Sequence, residues 1–286
     1  MFQSVESLVE AAAHRPLWET VLEDDLHDRG VCREDSLSRM TKLWQAMVSA
    51  VEHYDPSLRS ASGLAGGAGA LLSREGEGLC GSYFRQIIAS ALKTGECNAC
   101  MGRIVAAPTA GASGVLPAVL LPYRQRRGLE DGSMVEALYV AAGFGQVIAA
   151  RASISGAEGG CQAEVGSASA MAAAALVHLE GGSPAQMADA CALALSGLMG
   201  LVCDPVAGLV EVPCITRNVT GAVNAMACAE LALSGVRSAI PWDEVIDAMR
   251  AVGDALPSAL RETGQGGLAA TPTGRKIAAT LGDKPQ

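Results

Sequence analysis

The chain has few aromatics, few lysines, few histidines and almost no strand-like alternation. Phe, Trp and Tyr make up 3% of its 286 residues, so the core has to be filled by aliphatic and small side chains. The four lysines are Lys42, Lys93, Lys276 and Lys284; none sits in a loop suited to a Schiff base, which disfavours pyridoxal phosphate chemistry. The four histidines, His14, His27, His53 and His178, form no metal motif, and His178 in ALVHLE reads as a packed or surface residue. Charged residues are scarce at 18%, and their balance is −9, which leaves no basic face for nucleic acid. The one basic cluster, Arg124, Arg126 and Arg127, follows an apolar run and reads as a solvated segment end. No run reads as a membrane span: the longest uncharged stretch, 104–123, is broken by Pro108, Pro117 and Pro122 and by Thr109 and Ser113. The first residues carry acids where a secretory signal carries lysines, and the expected location is cytoplasmic.

What is abundant is small. Direct counting gives 51 alanines and 33 glycines, and half of the residues are hydrophobic. That content excludes disorder, and glycines without a three-residue period exclude collagen. Alanine buries little area, so its helices depend on close tertiary packing. The expectation is a mainly α fold: a compact multi-helix bundle with Gly/Pro-rich loops, forming one domain over 1–286. Within it, 1–60 is a charged helical region, in which Phe2, Val5, Leu8, Val9 and Ala12 share one helix face. The segment 264–286, rich in Gly, Thr and Pro, reads as a mobile tail. Two helix starts are marked: the capping box at 183–186, with Pro184 at the first helical position, and Pro241, followed by Val245, Ile246, Met249 and Val252. The Gly-rich stretch 62–70, SGLAGGAGA, does not complete a nucleotide loop and reads as a tight turn or a close helix approach.

Nine cysteines in a chain without a secretory signal point away from disulfides, towards core filling, metal ligation or redox chemistry. Cys80, Cys191 and Cys228 lie in or beside Ala/Leu-rich stretches and read as small buried hydrophobes; Cys32 has no companion. Cys97 and Cys100 form a CxxC with neither a βαβ unit nor a second CxxC, and read as small residues near a helix end rather than a redox or metal pair. Cys161, Cys203 and Cys214 each sit at a helix break beside Gly or Pro, where backbone N–H groups are free. Iron–sulfur clusters use thiolates together with such donors, although the spacing matches no ferredoxin or zinc-knuckle pattern.

Four long stretches carry a resemblance: MGRIVAAPTAGASGVLPAVLL at 101–121, SGAEGGCQAEVGSASAMAAAAL at 155–176, CDPVAGLVEVPCITRNVTGAVNAMACAELAL at 203–233 and LPSALRETGQGGLAATPTGR at 256–275. Together with SGLAGG at 62–67 they make the chain similar to the alpha part of the iron–sulfur-dependent L-serine dehydratases, over nearly its whole length. The CxxC, and the absence of an Asp after the glycines at 66–67, depart from that pattern.

The resemblance implies an L-serine ammonia-lyase of amino-acid degradation, converting L-serine to pyruvate and ammonia. It also implies a [4Fe-4S] cluster on Cys161, Cys203 and Cys214, with one iron left open as a Lewis acid for the departing hydroxyl. A smaller beta subunit is expected as partner, in a hetero- or homo-oligomer. Beside the cluster, the loop 108–114 offers Thr109, Gly111 and Ser113 to the substrate carboxylate, and Arg217 and Asn218 are expected there too. Glu158 and Glu164, flanking Cys161, read as helix N-terminal acids without a catalytic role. No histidine lies in these stretches, so the general base is expected from the beta subunit. Two other readings stay open: a related iron–sulfur lyase for another small amino acid such as L-cysteine, and a non-catalytic cluster-binding redox sensor.

Overall fold

The structure is a computed structural model that describes residues 2–72 and 78–282. Helices dominate it. In order they are α1 (Val5–Ala11), α2 (Leu17–Arg29), α3 (Arg33–Glu52), α4 (Ala68–Leu72), α5 (Gly81–Ala99), α6 (Val115–Arg127), α7 (Asp131–Arg151), α8 (Gly156–Gly159), α9 (Ser167–Leu179), α10 (Pro184–Leu198), α11 (Cys214–Leu233), α12 (Trp242–Ala255) and α13 (Pro272–Gly282). Among the described residues there is no strand, only one parallel bridge between Cys203 and Arg261. The mainly α expectation therefore holds.

The bundle is built round α9. Every residue of α9 from Ser167 to Val177 is buried. A helix enclosed on all sides needs neighbours on all sides, and α9 has them: α7, α10, α11 and α6 pack against it. The run MAAAAL at its centre is what lets four helices approach one axis, because alanine keeps the helix thin. Around this centre α2 and α3 cover the outer face of α7, α5 covers α11, and α12 closes on α10. By length and composition α7 would be long enough to cross a membrane, but 67% of its most apolar window is buried inside the bundle. Its apolarity is consumed by the core.

Local signals explain the helix ends. Ser183 accepts from Gln186 N–H while the Gln186 side chain accepts from Ser183 N–H, and α10 begins at Pro184 as the pattern required. Pro241 caps α12, which buries Val245, Ile246 and Met249. α1 buries Val5 and Leu8, with Phe2 and Val9 packed on the core edge. Cys191 and Cys228 are core fillers, as expected, whereas Cys80 is exposed at the start of α5. Part of the stretch read as a tail is structured: it holds a short 3-10 turn, Gly267–Ala270, and then α13.

The Gly-rich stretch is a cradle for a carboxylate of the chain itself. Glu96, 3% exposed near the end of α5, accepts from the N–H groups of Gly66, Ala68 and Gly69 and from the Tyr54 hydroxyl. Gly66 has φ +127°, and a Cβ there would overlap the Leu58 carbonyl, so only glycine closes this turn. Next to it, the Ser60 and Ser62 hydroxyls donate to Glu211 at 2.8 and 2.6 Å. The loop is thereby tied to the segment that precedes Cys214.

The close approach of helices to α9 sets an expected outcome. Ala173 is fully buried. An Ala173→Leu variant forces extra methylenes into a packed core and is expected to lower the unfolding free energy by about 1–3 kcal/mol in urea titration. An unchanged midpoint would show that α9 is not packed to its surface.

Candidate metal centre

The three cysteines singled out by their context come together. Each lies at a break between helices. Cys161 follows α8 and Gly160, whose φ is +75°, and opens a π-helical turn, Gln162–Gly166, that leads into α9. Cys203 lies in the extended link after α10. Its N–H donates to Leu260 O at 2.9 Å and its carbonyl accepts from Glu262 N–H at 2.8 Å, so the segment 260–262 straps it in place. Cys214 is the first residue of α11. All three are buried, at 2%, 2% and 8% exposure, and all are free thiols.

Electrostatics shows their proximity. Burial pushes the Cys161 thiol up to about 11. The Cys214 thiol is pushed up to about 12 by burial, with Cys161 and Glu164 adding to it. Cys203 is raised further by burial, then by Glu164, Cys161 and Cys214. Each thiol resists ionisation chiefly because it is buried, and Glu164 adds to this at all three; Cys203 and Cys214 also feel a neighbouring thiol. Two donors point the other way: Val165 N–H faces the Cys161 sulfur, and the N–H of Cys214 faces its own.

One guanidinium links the three segments. Arg217, one turn into α11, pairs with Asp204 at 2.7 Å and donates to Val202 O at 2.7 Å; these residues flank Cys203. Its charge also faces the Cys161 sulfur. Burial alone would weaken its charge, but Cys161 and Asp204 more than offset this and hold it protonated. Asp204 is itself 3% exposed, and its other oxygen accepts from Leu268 N–H at 2.7 Å.

The loop 108–114 packs against the same place. Asn218, 1% exposed, receives the Gly114 N–H at 2.8 Å and donates to Gly111 O at 2.8 Å and Cys214 O at 2.9 Å. The Thr109 hydroxyl donates to Glu164 at 2.7 Å. Ser113, 1% exposed, has a buried hydroxyl with no partner among the described residues. Arg217 and Asn218, expected on the substrate, therefore have their polar atoms engaged by the protein, and Ser113 does not.

Two acids matter that the sequence reading did not credit. Glu164 lies in the π-helical turn, between Thr109 and the Cys203 thiol, which donates to it at 3.8 Å. Burial raises its carboxyl above the usual carboxylate range, Glu262 adds to this, and the Thr109 hydrogen bond opposes it. Glu262, in the strap beside Cys203, adopts φ +62° and stays exposed. Glu158, by contrast, is an exposed partner of Ser153. Nothing in local sequence separates Glu164 from a first-turn acid. The π-helical insertion, which shifts its side chain by part of a turn, is what brings it to the thiols.

The cradle is shaped for bulk next to sulfur. A Cβ at Gly156 would come within 2.6 Å of Glu164 and 3.0 Å of the Cys203 sulfur, so glycine keeps this wall back. Among the described residues no three His, Cys, Asp or Glu side chains close round a single metal ion. Three thiols sharing a multi-iron cluster each bind a different iron and stand wider apart than ligands of one ion. Three buried thiols, aimed N–H donors, a protonated guanidinium and a glycine wall suit such a cluster.

Asn218→Ala removes the partner of the buried Gly114 N–H and of the part-buried Gly111 carbonyl and is expected to cost about 2 kcal/mol of stability, read by urea denaturation of the metal-free chain. A loss under about 1 kcal/mol would mean that water replaces the amide.

Known proteins resemble this chain over most of its length. The sequence model of the family "Serine dehydratase alpha chain" matches residues 12–269. The chain is 46% identical over 282 residues to the "Probable L-serine dehydratase, alpha chain" of Bacillus subtilis (strain 168), covering 97% of this chain and 94% of that one. It is 56% identical over 189 residues to the protein of the same name from Latilactobacillus sakei, covering 66% of this chain and 90% of the other. A 47% match over 184 residues to the "L-serine dehydratase" of Mycobacterium bovis (strain ATCC BAA-935 / AF2122/97) covers 63% of this chain and 40% of that protein.

Proposed function

From the premise that the chain belongs to the serine dehydratase alpha chain family, we propose that it dehydrates L-serine to pyruvate and ammonia, with a [4Fe-4S] cluster on Cys161, Cys203 and Cys214. The observation that carries this is that three buried thiols from separate helix breaks lie near one another, with Arg217 facing Cys161 and paired on both sides of Cys203. When bound, the cluster supplies a Lewis acid for the serine hydroxyl.

The chain's own residues do the rest. Arg217 opposes the negative charge of the thiolates and locks Val202 and Asp204 on either side of Cys203. Asn218 clamps the loop 108–114 to the start of α11, which presents Ser113, Gly111 and Thr109 as substrate-facing groups. The unpartnered Ser113 hydroxyl and the loop's backbone suit a carboxylate. Glu164 orients the Thr109 hydroxyl by accepting its proton in a hydrogen bond. Elimination of water from serine gives aminoacrylate, which tautomerises and takes up water to release ammonia and pyruvate.

The base that removes the Cα proton is proposed to come from a beta subunit. The alpha-chain relative from Bacillus subtilis is covered over nearly all of its length, whereas the relative called simply L-serine dehydratase is covered over 40%. That difference supports an enzyme divided between two parts. A second reading, in which Glu164 is the base, is favoured by its seat between Thr109 and Cys203.

Anaerobic reconstitution, followed by iron, sulfide and pyruvate assays with and without a beta partner, separates these readings. About four irons and four sulfides per chain are expected. They should be lost in Cys203→Ala, with turnover of L-serine only alongside the partner. Full activity of the isolated chain would move the base to Glu164. Iron no higher in the wild type than in Cys203→Ala would refute the cluster.

A further inference from the structure

A second pair of thiols lies apart from the centre. α5 ends at Cys97-Asn98-Ala99, with Cys100 as the cap residue. Met101 takes a left-handed φ of 62°. The Met101 N–H then donates to Asn98 O at 3.0 Å, and the Gly102 N–H to Cys97 O at 2.8 Å, closing the last turn tightly. A Cβ at Gly102 would overlap the Cys97 sulfur, so glycine leaves room beside that thiol. Both thiols are part-exposed, and both line one cavity of about 220 Å³ with His53, Tyr54, Glu96 and Arg103. Among the described residues no third ligand joins them round a single metal ion.

The spacing suits a disulfide after a small movement. Side chains three apart on a helix stand about 5–6 Å apart at Cβ. A disulfide needs about 3.5–4.5 Å. Cys100 lies in the cap rather than in the helix, held there by its N–H bond to Glu96 O, so the difference is supplied by a shift of this last turn. Glu96 feels that movement directly: its carbonyl accepts the Cys100 N–H at 2.9 Å, and its carboxylate holds the N–H groups of Gly66, Ala68 and Gly69. The same loop reaches Glu211, three residues before Cys214, through Ser60 and Ser62.

We propose that Cys97 and Cys100 are a reversible dithiol–disulfide site, and that its state is transmitted by Glu96 to the Gly-rich loop at 62–70. The oxidant is a low-molecular-weight disulfide. The thiolate of Cys100, the less enclosed of the two, attacks one of its sulfurs and expels one thiolate. The thiolate of Cys97 then attacks the Cys100 sulfur of the mixed disulfide and expels the second. Two protein thiols become one disulfide, the small disulfide becomes two thiols, and the two protons pass to the departing thiolates. Nothing in this exchange depends on the function proposed above.

The test treats the full chain with oxidised glutathione under anaerobic conditions, then applies peptide mapping and hydrogen exchange by mass spectrometry. The expected product is a Cys97–Cys100 cross-link, reversed by dithiothreitol. With it, exchange in peptides covering 62–70 should become about tenfold faster. Cys100→Ser should show neither change. A stable glutathione adduct without the cross-link, or no reaction, would overturn the site. A cross-link with unchanged exchange would overturn the transmission, and oxidant-induced loosening that persists in Cys100→Ser would overturn the assignment to this pair.

Discussion

The arrangement of the centre rests on one half-buried guanidinium. Cys161, Cys203 and Cys214 belong to three separate helix breaks, and no backbone element joins all of them. Arg217 does so, through Cys161, through Asp204 and Val202 beside Cys203, and through its own helix to Cys214. A buried cation is costly unless partners surround it. Here the partners are Asp204 and the Cys161 thiol, so the charge that would destabilise an apolar core ties two of the breaks together.

The surrounding bundle makes that centre possible through small residues. α9 starts directly from the π-helical turn that carries Glu164, and it is sheathed by α7, α10, α11 and α6. Bulky side chains would push those helices apart and, with them, the breaks at their ends. Alanine keeps the axes close at the expense of area buried per residue, and many helices recover that area together. The scarcity of aromatics and the close packing round α9 are thus two sides of one packing solution.

Much of this was legible in the sequence, and the rest was hidden for identifiable reasons. Helices with chemical start signals, such as α10 and α12, were readable because capping is local. The three cysteines were readable because Gly and Pro mark helix breaks, and because long motifs resemble a known family. The seat of Glu164 beside Thr109 and Cys203 was hidden because a π-helical turn leaves no periodic signature, and the turn decides which way the side chain points. Glu262 escaped notice because its strap meets Cys203 only through a long-range bridge. The Gly-rich loop looked like a plain turn, since the carboxylate it wraps lies one helix later, at Glu96. Arg217 and Asn218 lie beside the three cysteines, with their polar atoms engaged by the protein, which only hydrogen-bond geometry reveals.

That three thiols hold one cluster with an iron left open is tested most directly by Mössbauer spectroscopy of the enzyme reconstituted with isotopically enriched iron, with and without L-serine. The predicted result is a distinct component, one quarter of the cluster iron, whose parameters change when serine is added while the rest stay fixed. Four indistinguishable irons that ignore serine would contradict it.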